Sequence, residues 1–549
     1  MRTPTLTQRP SVAIAMAATL VLSGAASAQD GLAMPSDVFS SYETSSAAAL
    51  AAEDQTQQIS YLSDCCEPTC GAADGCGCGD DCGDGCGDTC GCGCPACQKK
   101  AAKPSPCLTS HKGVYYANDF SYLKDPCGPC CLGDCMKLMD VGCGTLDIGG
   151  QLRLRYHHEE GMGRSSLSTP PNRGFLDTDN DFLLSRLRLY TNWKANDWFR
   201  VYAEGITADV LSNESYNPRP IDRNSGDFLN LFFDLGVTES TTVRVGRQEL
   251  LYGAQRFVSP LDWANTRRTF EGIKVMHKSD DWAIDGFFTN YVPVSPDDFD
   301  EADYNQKFYG VYATYTGAKS ASYDLFYIGY DNDNAYAAVP PVTSPAAGSA
   351  DFSVHTFGGR IFGGSGDWLY EMVGALQTGR QSGLGLDHRA GMCTCGVGRK
   401  LPGSWTPTMW MYYDYASGND STTDGTFNRF NQLFPLAHKY LGFIDAAARS
   451  NISSPNCLLT MKPSSKLSLL AWYYYLGAAD ESDVIPGVAV PSAQTLDSTD
   501  FGNELDLIAK YQLDPRSNIL FGYSTLWRGS KIIGTDNADF FYTQWELNF

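Results

Sequence analysis

The feature that most restricts this chain is a two-residue period that sets in near Thr145 and runs to Phe549. Gln151-Leu152-Arg153-Leu154-Arg155-Tyr156 alternates polar and apolar side chains without a break, as do Ser185-Arg186-Leu187-Arg188-Leu189 and Phe199-Arg200-Val201-Tyr202-Ala203-Glu204. Successive residues of a strand face opposite sides, so each segment has one charged and one apolar face. A soluble sandwich also alternates, but it hides the apolar face and exposes mixed polar residues. Arg and Glu set opposite Leu, Val and aromatic rings suit a membrane barrel with a wet lumen and an oily exterior.

The connections point the same way. Eight short turns stand at 195–197, 238–241, 278–281, 317–321, 363–367, 400–404, 462–465 and 513–516, each flanked by strand-like sequence. Longer polar stretches such as 157–180, 211–226, 332–349 and 477–499 lie between them. Tight turns alternating with long loops are the asymmetry of an outer-membrane barrel, whose tight turns are periplasmic. Eight turns and nine longer links predict a transmembrane antiparallel β-barrel of about 18 strands over 145–549. Both ends of that barrel then lie on the periplasmic side. Phe549, Leu547, Trp545, Thr543 and Phe541 share one parity, an aromatic-terminated strand of the kind read by the barrel-assembly machinery.

The preceding sequence is of another kind. Arg2 and Arg9, the apolar run 12–22 and Ala26-Ser27-Ala28 before Gln29 predict a signal peptide over 1–28. Residues 29–144 form a Cys/Gly/Asp-rich, largely irregular segment, expected in the periplasm. Eleven of the 20 cysteines fall between Cys65 and Cys97 with almost no large apolar side chain among them. Such a tract cannot build a hydrophobic core, so its order must come from disulfides or bound metal. Thiolates at this spacing can ligate zinc or copper(I), but the paired ligand sets and core-forming spacer of a zinc module are missing. The expectation is a disulfide-laced spacer with no cofactor and no metal centre. Cys393, Cys395 and Cys457 are expected to form or join disulfides. A net charge of −22 excludes a general nucleic-acid binder, which needs clustered Lys and Arg.

At about eighteen strands the interior is too wide for side chains to fill, so the lumen is wet unless loops plug it. By parity Arg153, Arg155, Arg186, Arg188, Arg200 and Arg244 face inward, and Glu204 and Asp234 share that face. Residues 145–275 hold 16 basic and 17 acidic residues, whereas 276–549 hold 17 and 30. The early strands are therefore the relatively basic wall of an acidic protein. They give either an arginine-lined path for anionic solutes, gripped bidentately, or a wall whose arginines simply pair with Glu204, Asp234 and their neighbours.

Val243-Arg244-Val245-Gly246-Arg247-Gln248, with Tyr252-Gly253, Arg256, Trp263, Asn265 and Arg267-Arg268-Thr269-Phe270-Glu271-Gly272, resembles the central motif of the alginate-export family. The resemblance is clearest over 145–290. It implies an eighteen-stranded outer-membrane barrel that gives a secreted anionic polysaccharide passive passage through an electropositive lumen. It also implies a long external loop and a periplasmic turn that act as covers. Carried over by position, Arg244, Arg247, Arg267 and Arg268 would line that conduit, and Gly246, Gly253 and Gly272 would mark places where backbone crowding excludes a side chain.

No GxSxG, HExxH or phosphate-cradling glycine loop is found, so a catalytic role is not expected. His157-His158-Glu159-Glu160 reads as a solvated external loop. The sequence therefore predicts an outer-membrane channel in contact with lipid that passes an anionic, alginate-like polysaccharide or other anionic solutes. A small-solute diffusion porin and a structural envelope protein crosslinked through its N-terminal segment are the alternatives.

Overall fold

The alternating segments pair in chain order. In a computed structural model of the protein the first six barrel strands are β1 (Gly144–Glu160), β2 (Asn180–Lys194), β3 (Phe199–Ser212), β4 (Asn224–Thr238), β5 (Thr241–Gln248) and β6 (Thr269–Lys278). They continue as β7 (Trp282–Val292), β8 (Gln306–Tyr315), β9 (Ala321–Asn332), β10 (Phe352–Ser365), β11 (Trp368–Gln381) and β12 (Leu386–Lys400). The last six are β13 (Thr408–Ala416), β14 (Ile452–Met461), β15 (Leu467–Gly477), β16 (Asp500–Asp514), β17 (Ser517–Arg528) and β18 (Ala538–Asn548). Residues 113–124, 131–161, 179–212, 218, 221–334, 351–420, 424–486, 494–534 and 537–549 are described. The expected signal peptide and Cys65 to Cys97 lie outside them.

Each barrel strand runs antiparallel to its neighbours, and β1 pairs with β18 from Gln151↔Asn548 to Glu160↔Asp539. The eighteen strands thus close one sheet, which leaves no unpaired edge in the bilayer. Leu189, Ile273, Phe288, Leu325, Phe357 and Leu376 are exposed on its outer face, the apolar side of the alternation. All eight short turns lie between the strands they were expected to join. The one departure is the link between β11 and β12, only four residues long, where a 3-10 turn (Ser382–Leu384) precedes Gly385. Two long strands meet there directly, so the strand count is unchanged.

Two expectations are corrected. His157 to Glu160 are the end of β1 and not a loop: His157 and Glu159 are buried and His158 contacts Asp181. Cys393, Cys395 and Cys457 carry free thiols. The first two stand on the same face of β12, and β13 separates them from β14. Two strand spacings of about 4.8 Å exceed the reach of a disulfide. Cys131 is disulfide-bonded, whereas Cys143 carries a free thiol.

The glycine motif has a steric cause. Gly246 adopts φ 130°, and a Cβ there would lie 2.3 Å from the Leu231 carbonyl oxygen. At Gly272 a Cβ would meet the Phe288 carbonyl at 2.2 Å. Gly246→Ala is expected to destabilise the folded barrel by about 1–3 kcal/mol. It should lower the temperature at which the heat-modifiable electrophoretic shift is lost, while Gly286→Ala, with open space at its Cβ, leaves it in place.

The link 249–268 and the described residues of the link 417–451 turn into the barrel, and their apolar residues form its internal core. Leu250, Phe257, Val258, Leu433, Phe434, Leu441, Phe443 and Ile444 are all buried. The two links bond to each other: Ser259 N–H donates to the Phe434 carbonyl (2.8 Å), Phe434 N–H to that of Phe257 (2.9 Å) and Leu436 N–H to that of Gln255 (2.9 Å). A ring of eighteen strands encloses more space than its side chains fill, and burying these apolar residues there removes them from water. The fit is strained. Of eight non-glycine residues with positive φ among the described residues, Gln255, Leu261, Arg267, Leu433, Asp445 and Asn451 belong to these two links.

Candidate functional site

Parity on β1–β5 places Arg153, Arg155, Arg186, Arg188, Glu204, Asp234 and Arg244 inside the barrel, all buried, with Arg200 beside them. Strand register brings them together: Arg153 is opposite Arg186, Asp234 opposite both Arg200 and Arg244, and Gln151 opposite Arg188. Like charges this close persist in a low-dielectric interior only when each is matched by acceptors. The inward link 249–268 supplies many of them.

Arg153 donates to the Asp262 carbonyl (2.8 Å), the Ala264 carbonyl (3.2 Å) and Asn265 Oδ1 (3.2 Å). Arg155 donates to the Trp263 carbonyl (2.8 Å) and lies over the Trp263 ring at 3.9 Å. Arg186 holds Asp262 Oδ1 (2.8 Å) and, through two nitrogens, Gln151 Oε1. Arg267, carried on the link itself, bridges Glu249 (2.5 Å) and Asp262 from the left-handed conformation, φ 64°. The wall's own carboxylates serve the remainder. Arg188 pairs with Glu204 (2.6 Å), and Arg244 binds Asp234 through two nitrogens at 2.7 and 2.9 Å. Arg200 stands 3.5 Å from the same carboxylate.

Two of the motif arginines sit apart from this wall. Arg247 is out of step with Arg244 and projects to the other face of β5, where it holds Asp227, Glu271 and the Asp300 carbonyl. Strand alternation forbids two residues three apart from sharing a face. Arg268 is half-buried further along the link and donates to the Ser259 and Pro435 carbonyls.

Across the lumen the polarity reverses. Glu371 of β11 and Asp414 of β13 hold Arg256 of one link (3.0 and 3.5 Å), and Asp414 also holds Arg449 of the other (2.6 Å). Glu504 and Asp506 of β16 accept backbone N–H bonds from Ile444 and Phe443. Buried arginines thus concentrate on β1, β2 and β5 beside Glu204 and Asp234, and the buried carboxylates Glu371, Asp414, Glu504 and Asp506 on β11, β13 and β16, with the inward links bonded to both groups.

A third component enters from the short-turn end. Residues 113–124 lie against the arginine wall: Arg267 donates to the Gly113 carbonyl (3.0 Å) and Arg200 to that of Tyr116 (2.7 Å). Arg188 lies over the Tyr115 ring at 4.1 Å and Arg244 over that of Tyr116 at 4.3 Å. Burial pushes both phenols well above their usual range. At the rim Arg516 pairs with Asp134 (2.7 Å), and Lys137 Nζ donates to the Ile148 and Gly133 carbonyls. Sequence reasoning passed over Tyr115, Tyr116, Glu249 and Asp262. The only local signal was an aromatic-rich stretch, Tyr115-Tyr116 to Tyr122, in an otherwise core-poor segment.

Burial, together with the Arg516 charge, lowers the Lys137 amine to about 8 from 10.5. The undocked segment therefore binds more protons than the docked one between about pH 8 and 10.5, so docking strengthens as pH rises through that window. Protease cleavage within 131–137, normalised to the free peptide, is expected to slow at pH 9.5 relative to pH 7.5. A Lys137→Met chain should lose that dependence.

A sequence family described as alginate export matches residues 145–541. Among solved structures the chain is similar to the outer-membrane protein OpdK of Pseudomonas aeruginosa, with a TM-score of 0.51 and 11% identity over 73% of this chain and 98% of that one. It is also similar to OpdQ of the same organism (TM-score 0.49, 12% identity, 74% and 97%) and to OprD (0.48, 11%, 73% and 94%). At such identity the first of these speaks to the fold alone. No curated protein matches the sequence.

Proposed function

The chain belongs to the alginate-export family of outer-membrane channels, and on that premise we propose that its lumen passes anionic polymers of the uronic-acid kind along the arginine wall. The observation that supports this reading is the ownership of the acceptors. Arg153 and Arg155 bond to carbonyls of an inward link, and Arg186 bonds to Asp262 of that link as well as to Gln151 of β1. Carboxylates of a passing polymer offer the same guanidinium groups charge-assisted and often bidentate bonds. The strands keep the arginines in place while the link gives way. On this reading the short-turn end, and with it residues 113–143, faces the periplasm.

A specific observation also favours the diffusion-porin reading: two inward links sit between opposed basic and acidic walls, an arrangement suited to small dipolar solutes. Reversal potentials of open channels in a salt gradient separate the two. Anion preference that falls in Arg153→Ala and Arg244→Ala supports the arginine path, and unchanged selectivity in both counts against it. The family and fold are those of transport channels, not of enzymes.

A further inference from the structure

We infer that residues 113–124 are a removable plug of the short-turn mouth, seated on the arginine wall through Tyr115 and Tyr116. The seat is built for these two rings. Tyr115 packs against Tyr190 (5.5 Å between centroids) beneath Arg188, and its hydroxyl donates to Asn548 Oδ1 (2.5 Å). Tyr116 meets Tyr202 and Phe232 edge-on beneath Arg244, and its hydroxyl donates to the Glu249 carbonyl (2.8 Å). The segment therefore touches β2, β3, β4, β5 and β18 and the inward link, lying between the arginine wall and that link at the short-turn mouth.

Three observations make it removable. The barrel closes by direct β1–β18 pairing, to which 113–124 contribute nothing. The backbone N–H groups of Ala117, Asn118 and Leu123 close turns within the segment, on the carbonyls of Val114, Tyr115 and Phe120. The barrel grips it through side chains, with guanidinium groups over aromatic faces and on carbonyls, contacts that water and ions replace when the segment leaves. Its far end stays fixed at the rim, where Asp134 accepts from both Arg516 and Tyr122. The plug also covers the same faces of Arg188 and Arg244 that an anionic solute meets, so a polyanion in the lumen competes with it. That last step rests on the proposed function, whereas the plug itself does not.

The test is single-channel recording of the full chain in planar bilayers in potassium chloride. It is compared with a chain lacking 113–124 and with the Tyr115→Ala/Tyr116→Ala double variant. The deletion is expected to raise conductance several-fold and the double variant to raise open probability at least threefold. A peptide of the sequence 113–124, added on the short-turn side, should restore the block. Conductance equal to that of the full chain, in a deletion whose heat-modifiable mobility shows a folded barrel, overturns the plug. Should the deletion not assemble, unchanged open probability in the double variant does so instead. An opened channel that prefers cations leaves the plug standing and sinks the anionic reading, while an anion-selective channel with unaltered conductance does the reverse.

Discussion

Arg267→Ala is expected to free the inward link 249–268 from the arginine wall. Arg267 is the fully buried partner of two carboxylates, Glu249 and Asp262, and it also holds the Gly113 carbonyl. Removing one member of a buried ion pair leaves the other charge without compensation, at a cost of about 3–5 kcal/mol. Glu249 keeps a bond from Asn230 (3.1 Å) and Asp262 one from Arg186, so the loss falls on the link and not on the sheet. The expected result is fast amide exchange across 249–268 with strand protection retained, and a plug that dissociates more readily. Arg267→Lys should recover little, because a single ammonium cannot span both acids. Protection of the link equal to the parent's would show that its hydrophobic packing alone holds it.

The second large effect concerns selectivity. Arg244→Ala removes one positive charge and leaves Asp234 with only the more distant Arg200, so the local change is a carboxylate newly turned toward the lumen. Arg153→Ala removes an equal charge but releases mainly neutral carbonyls. One unit charge about 6 Å from a permeating ion in an aqueous lumen is worth about 0.7 kcal/mol with opposite sign for anion and cation, hence about 1.4 kcal/mol, roughly tenfold, in the ratio of anion to cation permeability. Arg153→Ala is expected to lower that ratio by about this factor, and Arg244→Ala by clearly more. Asp234→Asn should shift it the opposite way. Equal effects of the two arginines, or a reversed order, would mean that ions pass along another wall.

Much of the barrel was legible residue by residue. Alternation in Gln151 to Tyr156 and Ser185 to Leu189 recurs as alternating burial along β1 and β2, because a strand's period is local. The short turns were legible for the same reason, each being set by a few residues between two strands. Arg247 escaped that logic only because the family motif outweighed its parity. The His157 to Glu160 run was misread since four polar residues in a row look like a loop, although His157 and Glu159 face inward and contact one another (3.7 Å).

What the sequence by itself determined was the closed sheet and its strands, consequences of a two-residue period that short stretches already display. What only the tertiary structure decided was the content of the lumen. Phe434 meets Phe257, Tyr116 meets Glu249 and Arg186 meets Asp262 across 76 to 177 residues of chain. No local pattern marks the described residues of 249–268, 417–451 and 113–124 as inward-turning. Their placement follows from the width of a ring of eighteen strands and from buried guanidinium groups that need acceptors, and both conditions exist only once the ring has closed.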